Sequence, residues 1–233
     1  MKKLCLLAAL VCCCMVLNAQ NAQGKFSIKP MAGINVAGLS GGVSDLYKNK
    51  VGFTAGVEAE YGVNDWLGVS LGALYSQQGA KIDKFEQQRV NQAQGDFDVV
   101  TKIDGKIKSQ YLNLPLLANA YIPGVKGLAV KAGIQVGFCL SSELESTTEI
   151  YAVPVETSRL VELDFNSTKN GMKATKVCKS VDFGIPVGLS YEYKNVVLDA
   201  RYYFGLTKID NTENPEDCRN RYFSVTLGYR FHL

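Results

Sequence analysis

Apolar and polar residues alternate with a period of two along most of the chain, the pattern of strands with one apolar and one polar face. Val51, Phe53, Ala55, Val57, Ala59 and Tyr61 share a face, while Gly52, Thr54, Gly56, Glu58 and Glu60 share the other. From about Trp66 to Gln78, Leu67, Val69, Leu71, Ala73 and Tyr75 stand opposite Gly68, Ser70, Gly72, Ser76 and Gln78. Leu128, Val130, Ala132, Ile134, Val136 and Phe138 repeat the rule against Lys131, Gly133, Gln135 and Gly137. Three later segments follow it: Val181 to Tyr191, Val196 to Leu206, and Phe223 to Leu233. Two less regular strands are read at about Phe26 to Val36 and Ser109 to Tyr121, where Pro115 removes one ladder donor.

The connections between these eight strands alternate in length. Long ones run near Gly38 to Lys50, Gly79 to Lys108, Ser141 to Lys179 and Thr207 to Arg221. Short ones fall at Gly62 to Asp65, Pro123-Gly124 and Lys194-Asn195. Beyond residue 20 no stretch approaches the eighteen unbroken apolar residues of a spanning helix, so any crossing of a membrane uses strands. Short turns at one end and long loops at the other are the habit of outer-membrane barrels. The expected fold is all-β: a single eight-stranded antiparallel up-and-down transmembrane β-barrel with short periplasmic turns and long external loops.

The first residues change the compartment. Met1-Lys2-Lys3, an apolar run from Leu4 to Leu17, and Asn18-Ala19-Gln20 have the order of a secretory signal peptide. Residues 1–19 are read as that signal and 20–233 as the barrel domain. Its removal takes four of the seven cysteines and leaves Cys139, Cys178 and Cys218 in an oxidising compartment. One bridge at most can form, Cys178 to Cys218 joining two loops or Cys139 to Cys178 closing the longest one. Formal charge falls from +3 to +1 with Lys2 and Lys3, which gives no reason to expect a nucleic-acid partner.

The chain closes on Thr226-Leu-Gly228-Tyr-Arg-Phe231-His-Leu233. Thr226, Gly228, Phe231 and Leu233 have the spacing of a terminal strand read by the barrel-assembly machinery. With the Ala19-Gln20 signal ending, Lys29-Pro-Met-Ala-Gly33-Ile-Asn35, Gln110-Tyr-Leu-Asn-Leu-Pro115-Leu-Leu and Gly228-Tyr-Arg-Phe231, the chain resembles the PorT-type outer-membrane β-barrel family common in Bacteroidota. The resemblance spans nearly the whole mature chain. It implies a barrel scaffold, brings no shared catalytic residue, and has namesake members in a protein-secretion apparatus.

An eight-stranded barrel has an interior just wide enough to be filled by side chains. The register turns Glu58, Glu60, Asp182, Glu192 and Asp199 inward with Lys29, Lys131, Arg201 and Arg230. Such groups require partners in a confined interior, so a structural lumen charge network is expected. The single histidine, His232, ends the last strand, and no metal spacing, phosphate-binding loop or cofactor motif occurs in the mature chain. Tyr75, Tyr121, Tyr191, Tyr193 and Tyr229 are read as girdles at the membrane surfaces.

The reading is a non-enzymatic barrel whose loops meet envelope or extracellular protein partners, with outer-membrane lipid and the assembly machinery as its other contacts. Two alternatives stand beside it: porin-like passage of small solutes, and a soluble lipocalin-like barrel that turns its apolar face inward to bind a ligand.

Overall fold

The computed structural model describes residues 24–41, 47–92, 95–154, 170–209 and 217–233; the signal expected at 1–19 lies outside them. The strands are β1 (Phe26–Ser40), β2 (Tyr47–Gly62), β3 (Leu67–Gln92), β4 (Gly95–Tyr121), β5 (Leu128–Pro154), β6 (Asn170–Thr175), β7 (Val181–Tyr193), β8 (Val196–Gly205), β9 (Arg219–Tyr229) and β10 (Phe231–His232). Each pairs antiparallel with its neighbours, as the alternation predicts. The pairings run β1-β2-β3-β4-β5-β7-β8-β9, and β9 returns to β1 from Met31↔Gly228 to Ser40↔Arg219. Eight strands are thus linked in a ring. β10 continues β9 past Arg230 and pairs Ser27↔His232, while β6 pairs only with the far part of β5.

The long connections differ from expectation. Most of Gly79 to Lys108 is not loop but the far halves of β3 and β4, paired from Gly79↔Lys108 to Gln92↔Gly95. Much of Ser141 to Lys179 is likewise strand, β5 reaching Pro154 and β6 adding a partner. β1 and β2 also run further into Gly38 to Lys50 than the alternation indicates, and β9 starts inside Thr207 to Arg221. Alternation marks a strand with one buried face; beyond the ring both faces are wet, so the ladder continues without the pattern. Pro115 acts as expected on β4: the β3–β4 ladder skips from Leu71↔Leu116 to Leu74↔Asn113 opposite it.

Short turns close the other end. Asn64 Oδ1 accepts from the Trp66 and Leu67 backbone N–H groups at 3.0 and 2.8 Å, fixing the β2–β3 turn. Lys194 and Asn195 join β7 to β8 with φ of 45° and 67°, the left-handed pair of a type I′ hairpin.

The two faces of the ring have opposite chemistry. Ile134 (61% exposed), Leu71 (58%), Leu227 (58%) and Leu189 (53%) point outward, while Ser70, Ser76, Asn113, Asn119 and Gln135 are buried inside. A lipocalin-like interior requires the reverse, so that alternative is overturned. Tyr121 departs from the girdle reading, since its hydroxyl bonds inward to Glu60.

Candidate functional site

At the middle of the ring, five charged side chains from four strands converge. Glu58 on β2 accepts from Lys29 of β1 at 2.8 Å, from Lys131 of β5 at 3.1 Å and from Arg201 of β8 at 2.5 Å. Asp199 on β8 takes Lys131 at 2.9 Å, Arg201 Nε at 2.5 Å and Lys29 at 3.4 Å. β5 lies opposite β1 in the ring, so Lys131 reaches across the interior. Glu58, Lys131 and Asp199 are each about 1% exposed. Strand alternation explains the convergence: Lys29, Glu58, Lys131, Asp199 and Arg201 occupy inward positions of strands whose outward positions are apolar.

A second cluster fills the short-turn end. Arg230 lies 3.0 Å from Glu60 and 2.8 Å from Glu192, and donates to the Ser27 hydroxyl at 3.1 Å. His232 Nε2 stands 3.7 Å from Glu192. Three cations face two acids in the first cluster and one faces two in the second, so the clusters balance as a pair.

Asp182 does not join them. It sits buried toward the other end, accepting from Asn220 at 2.9 Å, with no cation paired to it among the described residues. Near that level Tyr203 stacks on Tyr222 at 4.8 Å between centroids, and the Tyr222 hydroxyl meets Asn113 at 3.3 Å and Gln135 at 2.9 Å. Alternation already sets Gln135 on the polar face of its strand; Tyr203, Tyr222 and Asn113 hold inward positions that the sequence reading gave no role. Cavities of about 20 Å³, beside Gln135 and Tyr222, and about 30 Å³, beside Glu60 and Arg230, remain inside. Each has room for about one or two waters.

The Cys178–Cys218 bridge is not made. No disulfide joins Cys139, Cys178 and Cys218, and Cys178 and Cys218 lie in one buried cluster with Leu39, Ala80 and Ile209. Desolvation pulls the two into an apolar environment without requiring a bond. Of the terminal residues, Thr226 points inward, Phe231 pairs with Ile28, and the Leu233 N–H bonds to the Phe26 carbonyl at 2.8 Å. Gly228 lies against β1, where an added Cβ would meet the Pro30 carbonyl at 2.8 Å.

The strand extensions form the outer part of the molecule. An open cleft of about 670 Å³ runs along them, bordered by Lys48, Lys81, Asp83, Lys106, Glu145 and Lys173. The Lys108 ammonium donates to Glu145 at 2.6 Å; that hydrogen bond and charge hold the Glu145 carboxyl below the ordinary range and the Lys108 amine above it.

Comparison with known proteins places this arrangement. No curated protein matches the chain in sequence. Among solved structures it is similar to the attachment invasion locus protein of Yersinia pestis, at 16% identity, TM-score 0.43, and coverage of 90% of this chain and 99% of that one. Neisserial surface protein A is similar at 16% identity and TM-score 0.37, over 90% and 99%. The N-terminal β-barrel domain of Pseudomonas aeruginosa OprF is similar at 16% identity and TM-score 0.31, over 90% and 100%. The family described as "Outer membrane protein beta-barrel domain" matches residues 18–211, most of the ring and its extensions. With that match, a ring of antiparallel strands, an apolar outside and a charged inside, the chain belongs to the outer membrane protein β-barrel domain family and resides in the bacterial outer membrane.

Proposed function

We propose that the protein is a non-enzymatic scaffold: an eight-stranded up-and-down barrel that spans the membrane with a filled interior and presents its long strand extensions outside. The observation that carries this is the central charge cluster, in which Lys131 spans the ring to meet Glu58 and Asp199. An interior crossed by ion pairs, with cavities of about 20 and 30 Å³ beside them, suits a rigid support better than porin-like passage of solutes. Loops and extensions on a rigid support are where binding resides. An envelope or extracellular protein partner would meet them there. The PorT-type branch, export through a signal at 1–19, and recognition of Thr226, Gly228, Phe231 and Leu233 by the assembly machinery belong to the same reading and rest on sequence motifs.

The test compares unheated and boiled samples from detergent-solubilised outer membranes on a gel. A fast unheated band that slows on boiling, with closed planar-bilayer recordings from the purified protein, is the expected result. Recovery as a soluble protein without the shift would refute the inserted barrel; steady conductance would favour the porin reading.

A further inference from the structure

The lipid-facing parity of the ring continues up the strand extensions, where its chemistry changes from apolar to charged. Leu71, Ala73 and Tyr75 share the odd-numbered outward face of β3 with Gln77, Lys81 and Asp83; Leu112, Leu114 and Leu116 share the even-numbered face of β4 with Gln110, Lys108 and Lys106. Across five strands one rung reads Lys48↔Lys81↔Lys106↔Glu145↔Lys173. Three lysines therefore stand side by side at the spacing of adjacent strands, about 4.8 Å. Like charges directly opposite one another in a sheet are unfavourable, so the row conflicts with the stability of its own ladder.

The acids on this face are already engaged. Asp83 pairs with Lys48, Asp104 with Lys102 at 2.9 Å, Glu143 with Lys173 at 3.4 Å, and Glu145 with Lys108 at 2.6 Å. Lys81 and Lys106 are exposed and have no acidic partner among the described residues. Lys50 stands apart from this row: it pairs with the buried Ala37 and gives its ammonium to the Gln78 carbonyl at 3.1 Å.

Height above the apolar belt identifies the ligand class. Lys108 and Lys106 lie four and six residues beyond Leu112, about 13 and about 20 Å along the strand, less when measured along the membrane normal because barrel strands tilt. Lysine stems reach back toward the interface. We propose that Lys81 and Lys106, flanked by Lys48 and Lys108, form a site for the phosphate groups of an outer-leaflet glycolipid whose acyl chains lie on the apolar belt below. This rests on the membrane-spanning reading given above.

The test uses the full mature protein refolded in detergent micelles, with lipid A bisphosphate and its dephosphorylated form as probes and native mass spectrometry as the readout. The phosphorylated lipid is expected to bind more tightly, and K81A/K106A to weaken it by about 25-fold, at about fivefold per lysine near an anionic surface. K126A at the short-turn end should leave binding unchanged. Equal binding of the two lipids, or unchanged binding in K81A/K106A, would overturn the proposal. Displacement of the lipid by millimolar inorganic phosphate would overturn the glycolipid as the source of the phosphate. The heat-dependent gel shift is read in parallel on every variant: its presence with lost lipid binding in K81A/K106A is the supporting pattern. Its absence in the unaltered protein would defeat the inserted reading and the lipid site together.

Discussion

Glu58 is the acceptor on which Lys29, Lys131 and Arg201 converge, so its charge matters more than that of any single cation. Glu58→Gln leaves three buried cations against Asp199 alone and is expected to cost about 3–5 kcal/mol of unfolding stability, read from the urea midpoint in detergent. Lys29→Met should cost much less, because the cluster holds one cation more than its acids and Lys29 keeps the longest contact, 3.4 Å to Asp199. Equal losses in the two variants would show that packing, not charge balance, governs the interior. Glu145, on the strand extensions, gives a pH dependence. Its folded-state acidity is raised by Lys108, so its contribution is complete above the ordinary carboxylate range and disappears as pH falls through the depressed value. Amide protection factors of the β4–β5 extension, each corrected for intrinsic exchange at its own pH, should fall between pH 6 and about pH 3 in the unaltered protein and change less in Glu145→Gln.

At the level of elements, the chain tells more about the ring than about what stands above it. Alternation over Val51–Tyr61 or Leu128–Phe138 is legible because each strand separates an apolar outside from a polar inside. Past Gly79 on β3 and Ser141 on β5 that asymmetry ends, and extended backbone remains paired where sequence reading indicates loop. The inward residues were readable as a set, but their grouping was not. Alternation assigns Asp182 the same face as Glu58, yet height along the strand puts it beside Asn220 and apart from the cations. Tyr121 was missed for a related reason: strand position suggests a girdle, and only the register turns its hydroxyl to Glu60. Turn chemistry offers a clean test. Lys194 has φ of 45°, a conformation that costs an L-residue about 1–2 kcal/mol, so Lys194→Gly should raise stability by about 1 kcal/mol in urea refolding.

For the whole molecule, the outside decides the environment. Ile134 sits in the middle of the outward row from Leu128 to Leu140 and is 61% exposed. Ile134→Arg should therefore lower stability in bilayers by about 2–4 kcal/mol, the cost of a cation near the midplane, while leaving the protein far less affected in detergent micelles. A neutral result in both media would argue that this face does not meet lipid. The sequence by itself determined that the protein is built of antiparallel strands, which residues share a face, and where the tight turns fall, because these follow from local periodicity and turn chemistry. Tertiary structure decided what periodicity cannot carry: the direction of the faces, the return of β9 to β1, the meeting of Lys131 with Glu58 across the ring, and the alignment of Lys48, Lys81 and Lys106. Each depends on register between strands distant in the chain, which is set by burying charges with partners and leaving apolar surface outside.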